Sequence, residues 1–438
     1  MIKSKLIALA FVVSLILAAC AGGGADPAPA PAPAPAETGA VETPADPAPA
    51  DAPEGVTITY WYWPDNPDFV ELMQGIVRLF NETNESGITV IAEEIPWEGG
   101  GYSHTLFTAV MGGGGPDAAA LKITSLPLFM NNNLVYDLSG FAAAWQDYDD
   151  IDPNMLSIIR GVGDGSLYAL PWNVQVLYVY YRPSLMELAG IEVPTTYEEL
   201  LEAIEALTMD LDGDGITDVY GFGMRGGPGG HEPWGSFVGA RGGTLYDLTT
   251  PEAIQGMQDF MDVFNNGFAP ATAPNDGFAE IIANFQSGRT AMTVHHVGSH
   301  VGMVDALGDD VGAFPFPGST GRWTSMGENQ NVVISATEHP EAAFEWLAFL
   351  TSGEGQEIWT RGTGVIPVSA RVQTMPHFQE NPFVRTSILG MPYAGIFPIL
   401  DTTTEWISAW PHTMAQALFG QITAEEAMQI FQERLWEN

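Results

Sequence analysis

The chain has 438 residues, enough for about two globular domains or three small ones. Apolar residues make up 46%, which supports a sizeable core, while 14 Lys+Arg stand against 54 Asp+Glu for a formal net charge of -40. That charge excludes nucleic acid as a partner, disfavours docking on anionic lipid, and leaves a neutral or cationic ligand as the default. The single cysteine, Cys20, rules out an intramolecular disulfide and a cysteine-rich metal site.

The chain opens with Lys3 and Lys5, then an apolar, uncharged run at 6–17. That run is short for a membrane-spanning helix and has the size of a signal-peptide core. It ends in Leu17, Ala18, Ala19 and Cys20, which resembles a bacterial lipobox whose cysteine is lipidated and becomes the new N-terminus. Residues 1–19 are therefore expected to be a lipoprotein signal peptide, with Cys20 the membrane anchor. Residues 20–55 follow as a tether of Ala, Pro, Gly and acid, with proline at alternate positions from 27 to 35. Such a segment buries no core and favours extended polyproline II, with a reach of roughly 100 Å.

The folded part begins near Val56. A β-branched and aromatic run at 56–63 predicts a strand ending at Pro64. Phe69, Leu72, Met73, Ile76, Val77 and Phe80 have helical spacing. A second strand is expected at 87–93, a helix at 104–111, a third strand at 118–123 and a short helix at 127–131. Later, Thr195 and Thr196 before Glu198 and Glu199 cap a helix, Thr250-Pro251 opens another, and His339-Pro340 a third, running to Leu350. Strands alternating with helices argue for a parallel α/β sheet, whose ligands bind beyond the carboxyl ends of the strands. Three such ends deliver Trp63 and Asp65, then Trp97, then Lys122 and Thr124. Flat aromatics beside carboxylates and hydroxyls suit a polyhydroxylated ligand, since sugar rings stack their C–H faces on indole.

Asp210, Asp212, Asp214 and Asp218, with Gly215 between, occupy positions 1, 3, 5, 9 and 6 of a calcium loop, and the Ile216 carbonyl would supply position 7. Four carboxylates so close repel without a cation. Gly221 stands where the bidentate Glu of a switching EF-hand would be, so the expectation is a structural Ca2+ turn.

The order of motifs resembles the extracellular solute-binding proteins of ABC transporters, in the branch that includes the maltose-binding protein. It shows in Gly-Gly-Pro-Asp at 114–117 and in Leu-Tyr-Ala-Leu-Pro-Trp at 167–172. It continues in Val-Pro-Thr-Thr-Tyr-Glu-Glu-Leu at 193–200, Phe-Gln-Ser-Gly-Arg-Thr-Ala-Met at 285–292 and Pro-Glu-Ala-Ala-Phe-Glu-Trp-Leu at 340–347. The resemblance implies a two-lobed α/β fold of the periplasmic-binding-protein type, its ligand cleft between lobes joined by a three-segment hinge. The lobes would be 56–170 plus 328–374 and 171–327 plus 375–438, with crossings near 169–173, 327–331 and 373–377. Trp63 and Asp65 match a family cleft loop, Glu232 and Trp234 a Glu-Pro-aromatic cleft segment, and Trp406 or Trp410 a late stacking aromatic. Trp172 joins them from its motif. His300 stands where the pattern has Trp, so one stacking platform becomes a hydrogen-bonding or a structural histidine. The implied function is capture of a neutral sugar or oligosaccharide by a membrane-anchored, monomeric, non-enzymatic protein that delivers it to an ABC permease.

Two other classes compete. A secreted glycosidase would also be acidic and aromatic-rich, and needs two carboxyl groups about the scissile bond. No nucleophile elbow, zinc-protease motif or phosphate loop is present, and His295-His296, adjacent in a strand, would point to opposite faces. A surface glycan-binding protein would have a fixed site and no closure.

Overall fold

The structure, a computed structural model, describes residues 55–64, 67–97 and 101–436, without the Glu328 side chain. The expected signal peptide, Cys20, the tether through residue 54 and the candidate Asp65 lie outside the described residues.

Three parallel strands start the fold: β1 (Thr57–Tyr62), β2 (Thr89–Glu94) and β3 (Ala118–Lys122). Trp61 of β1 pairs with Glu93 on one side and Ala119 on the other, which brings the three carboxyl ends together. In β1 the alternation Ile58, Tyr60, Tyr62 is fully buried, as the period of a strand requires. The helix Pro67–Thr83 lays Phe69, Met73, Ile76, Val77 and Phe80 on the core, the expected apolar stripe. Helix Tyr197–Ala206 begins with a capping box between Thr196 and Glu199, and helices Pro251–Asn265 and Pro340–Thr351 each open with their proline in the first turn.

The sheet runs on through two long strands, β4 (Leu170–Tyr181) and β8 (Thr324–Val333). β8 pairs antiparallel with β3 along Asn329–Val333 and with β4 along Leu170–Val176. The rest of β4, Leu177–Tyr181, pairs with β6 (Thr290–His296), which in turn carries β5 (Tyr220–Gly223) in parallel. The short β7 (Gly312–Phe314) pairs with the end of β4.

Buried apolar side chains form three clusters. One surrounds β1–β3 and includes Trp346 and Leu347; a second surrounds β5 and β6 and includes Trp234, Trp406 and Trp410. The third lies along the middle of β4, where Val174, Val176, Tyr178 and Tyr180 meet Val372, Phe378 and Val384. Among the described residues no helix is long and apolar enough to cross a membrane.

Candidate functional site

Three connected chambers lie where the carboxyl ends of β1–β3 approach the elements following β5 and β6. Counting space open to solvent, the outermost spans about 680 Å³, the central one about 650 Å³, and a smaller one behind it about 320 Å³. Outer and central chambers share Trp97, Lys122, His231, Glu232, Gly327 and Ile407; central and inner chambers share Trp63, Gln175 and Asn329.

One wall is aromatic. The Trp63 ring lies 5.0 Å from Trp97 and 4.8 Å from Tyr102, centroid to centroid. Lys122, the last residue of β3, holds Nζ 5.9 Å from both indole centroids, a cation–π arrangement. Thr124, in the turn Ile123–Ser125 that follows, lines the outer chamber. The four strand-end candidates Trp63, Trp97, Lys122 and Thr124 therefore meet in one place.

The facing wall is polar. After β5 the chain passes Arg225 and enters the helix His231–Ala240, whose first turn presents His231 and Glu232. Arg225 Nη1 lies 3.9 Å from Glu232 Oε2, its Nε donates to the Pro228 carbonyl at 2.7 Å, and its guanidinium stands 5.9 Å from the Phe278 ring centroid. Gly229, at φ +80°, is required here: a side chain would collide with the Arg225 guanidinium. His296, closing β6, lines the central chamber, and helix Thr403–Leu418 adds Thr404, Ile407 and Ser408. The middle strands contribute Gln175 and Asn329. Burial pulls the His231 imidazole down to about 4, against the opposing pull of Glu232. Burial, then the positive charges of Lys122 and Arg225, pulls His296 down to about 3. Both are neutral at physiological pH.

Several expected ligand residues lie elsewhere. Trp234, Trp406 and Trp410 are 0%, 2% and 1% exposed and sit in the second core, not in the cleft. There Trp234 packs on Trp406, Trp410 and Phe431, and its Nε1–H donates to Met257 Sδ at 3.2 Å. The Trp406 Nε1–H reaches the Phe431 carbonyl at 3.1 Å. The reason is packing: three helices meet at this point, and the large apolar area of indole is buried between them. His300 is structural: Nδ1 is 2.7 Å from the Val297 carbonyl oxygen, Nε2 is 3.1 Å from Asn381 Nδ2, and the ring stacks on Phe383. Trp172 backs the inner chamber, stacked on Trp359 at 4.5 Å. Glu232 does line the cleft.

Arg225, His231, His296, Gln175, Asn329, Ile407 and Ser408 were not anticipated. His231 precedes Glu232 in the Glu-Pro-aromatic segment, a usable signal. The adjacent pair was a second one: His296 lines the cleft, while His295 is buried with Nδ1 2.7 Å from Ser299 Oγ. Their rings nevertheless stand only 4.3 Å apart, because β6 ends at His296 and the chain coils into the turn Val297–Ser299. Among the described residues lining the three chambers, Glu232 is the one carboxylate.

Away from the cleft, carboxylate oxygens of Asp210, Asp212 and Asp218 lie within 4.8 Å of one another on an exposed loop. Asp214 is outside this group; its carboxylate accepts the Ile216 N–H at 2.8 Å.

The family model described as bacterial extracellular solute-binding protein matches residues 75–386. An arabinooligosaccharide-binding protein of Halalkalibacterium halodurans is 24% identical over 344 residues, covering 73% of each chain. A mannitol-binding protein of Pseudomonas aeruginosa is 27% identical over 244 residues, 52% of each. Among solved structures, an ABC transporter solute-binding protein of Thermotoga lettingae bound to α-D-tagatose superposes with a TM-score of 0.77 at 21% identity, covering 86% of this chain and 98% of that one. The maltose-binding domain of Bdellovibrio bacteriovorus gives 0.73 at 22%, covering 86% and 98%.

Proposed function

The chain belongs to the bacterial extracellular solute-binding proteins, and we propose that it captures a neutral sugar or short oligosaccharide in the cleft and hands it to an ABC importer. The observation that carries this reading is the two-faced cleft: Trp63 and Trp97 on one wall, His231, Arg225 and Glu232 on the other. An apolar ring face fits the first wall and hydroxyls fit the second. The similar proteins include an arabinooligosaccharide-binding and a mannitol-binding protein and structures bound to α-D-tagatose and maltotriose, all neutral ligands. The Arg225–Glu232 pair offsets its own charge, which favours an uncharged ligand. A lone lining carboxylate among the described residues supports binding without hydrolysis. Calorimetry with maltotriose, arabinotriose, mannitol and D-tagatose, beside glucuronate and glucose 6-phosphate, tests this together with a hydrolysis assay. At least one neutral compound is expected to bind without being cleaved. Binding of only the charged compounds, or turnover of a neutral one, overturns the reading.

In the same reading Cys20 carries the lipid anchor, the tether spans to the folded part, and the protein acts as an extracytoplasmic monomer. The lobes are 56–170 with 328–374 and 171–327 with 375–438, hinged at β4, at β8 and near residues 373–377. The loop from Asp210 to Asp218 takes a structural calcium ion: three hard carboxylate donors already gather there without competing Lys or Arg among their hydrogen-bond partners.

A further inference from the structure

The described histidines around the cleft fall into two kinds. His300 has both ring nitrogens engaged; His295 has Nδ1 on Ser299 and a buried Nε2 without a partner among the described residues, but neither of the two lines a chamber. His231 and His296 line the chambers, and each keeps a buried Nδ1 with no hydrogen-bond partner among the described residues. His231 is only 6% exposed, and its ring is clamped edge-on by Phe397 at 4.9 Å, Trp406 at 5.9 Å and Trp410 at 6.2 Å. A buried polar atom without a partner costs free energy unless something supplies one.

We propose that His231 and His296 are the specificity-determining residues of the cleft, each reading one free hydroxyl of the bound sugar ring, while Trp63 and Trp97 stack without discriminating. The inference rests on the sugar reading above and goes beyond it by naming what the cleft tests for. A neutral imidazole carries one N–H and one bare nitrogen, so it can give or accept, as a hydroxyl can. Lys122 and Arg225 can only donate and the ionised Glu232 can only accept, so each pairs with a hydroxyl in one direction, whereas the imidazoles, like the Gln175 and Asn329 amides of the middle strands, can do either. Lys122, Arg225, Glu232 and His295 are also the charged or titratable neighbours of the two imidazoles, and burial, helped by the cations, keeps both rings neutral. Hydrogen or methyl in place of the hydroxyl leaves the imidazole unpaired, the arrangement that rejects analogues most strongly.

The test pairs a variant with an analogue. The tightest binder of maltotriose, arabinotriose, mannitol and D-tagatose is compared with its monodeoxy analogues on the native chain and on His231→Phe, His296→Phe and Trp97→Ala. His231→Phe is expected to weaken the parent sugar about ten- to hundredfold. One monodeoxy analogue should lose as much on the native chain and nothing further on that variant; His231→Asn should recover part of the loss. Trp97→Ala should weaken parent and analogues by the same factor. If either histidine variant leaves affinity unchanged, or weakens parent and all analogues equally, the proposal is overturned. Should the Phe variants not fold, the ring-nitrogen NMR signals of His231 and His296 in the native chain must shift on saturation with the sugar; unshifted signals overturn it. Failure of all four neutral compounds to bind the native chain removes the sugar reading itself, a separate outcome.

Discussion

Trp97 and Trp234 separate the two uses of tryptophan in this molecule. Trp97 is half-buried beside Trp63 at the cleft, whereas Trp234 is wholly inside a core. Trp234→Ala is expected to cost about 3–5 kcal/mol of stability. Trp97→Ala should cost less than that and lower sugar affinity at least tenfold. Denaturant unfolding and calorimetry on both variants check this; equal destabilisation would show that Trp97 is core as well. The cleft histidines contribute to a pH dependence that His295, His300 and His377 share, each also lowered by burial. In the unfolded chain each imidazole takes up its proton near 6.5, but in the folded chain only near about 4 for His231 and about 3 for His296. Between those values unfolding binds protons, so stability is full above about pH 6.5 and falls as the pH drops. A melting-temperature series from pH 7.5 to 4.5 should decline, and less so in His231→Asn. Carboxylates held low against the upward pull of burial, such as Asp310 by its Ser184 hydrogen bonds and Arg182 pairing, lose their stabilisation only at the acid end of this series, so the histidine effect is read above about pH 5.5.

At the scale of the element, the loop between the helix Tyr197–Ala206 and β5 is the place where an ion would act. Met209 and Val219 bridge across its base, and the Leu211 N–H donates to Asp218 Oδ2 at 2.8 Å. Calcium on Asp210, Asp212 and Asp218 would hold the start of β5; none of the three lines a chamber. At 100 times its dissociation constant it would add about 2.7 kcal/mol. Chelation is expected to lower the melting temperature, calcium but not magnesium to restore it, and Asp212→Ala to abolish the response with sugar affinity within a few-fold. No change on chelation, with no metal found after purification in calcium, would reduce the loop to an acidic turn. The capping box is a simpler case: Thr196→Ala leaves the Glu199 N–H without its side-chain acceptor and should cost about 1 kcal/mol.

For the whole molecule, the continuity of β4 and β8 decides what motion is open to it. β4 pairs with β8 along Leu170–Val176 and with β6 along Leu177–Tyr181, so on the proposed hinge the halves would turn about this strand. Saturating sugar is expected to reduce the radius of gyration and shift tryptophan emission, with Trp63 and Trp97 as reporters. Scattering and fluorescence that both stay flat would favour a static glycan-binding protein.

Much of this was legible in the chain itself. The first three strands, the stripe of helix Pro67–Thr83 and the capped helix starts rest on local periodicity and on caps within a few residues of each other, so the sequence alone determined them. The same holds for the aromatic wall: Trp63, Trp97 and Lys122 end consecutive parallel strands, and such ends converge by the geometry of the sheet. The facing wall was decided by tertiary structure. Whether Trp234, Trp406 and Trp410 meet a ligand or one another depends on how three helices distant in sequence pack. Nothing local to each tryptophan distinguishes a stacking platform from core, because both uses exploit the same apolar face. His231 and His296 became site residues for the converse reason: only packing from several elements shows which buried imidazoles line the cleft.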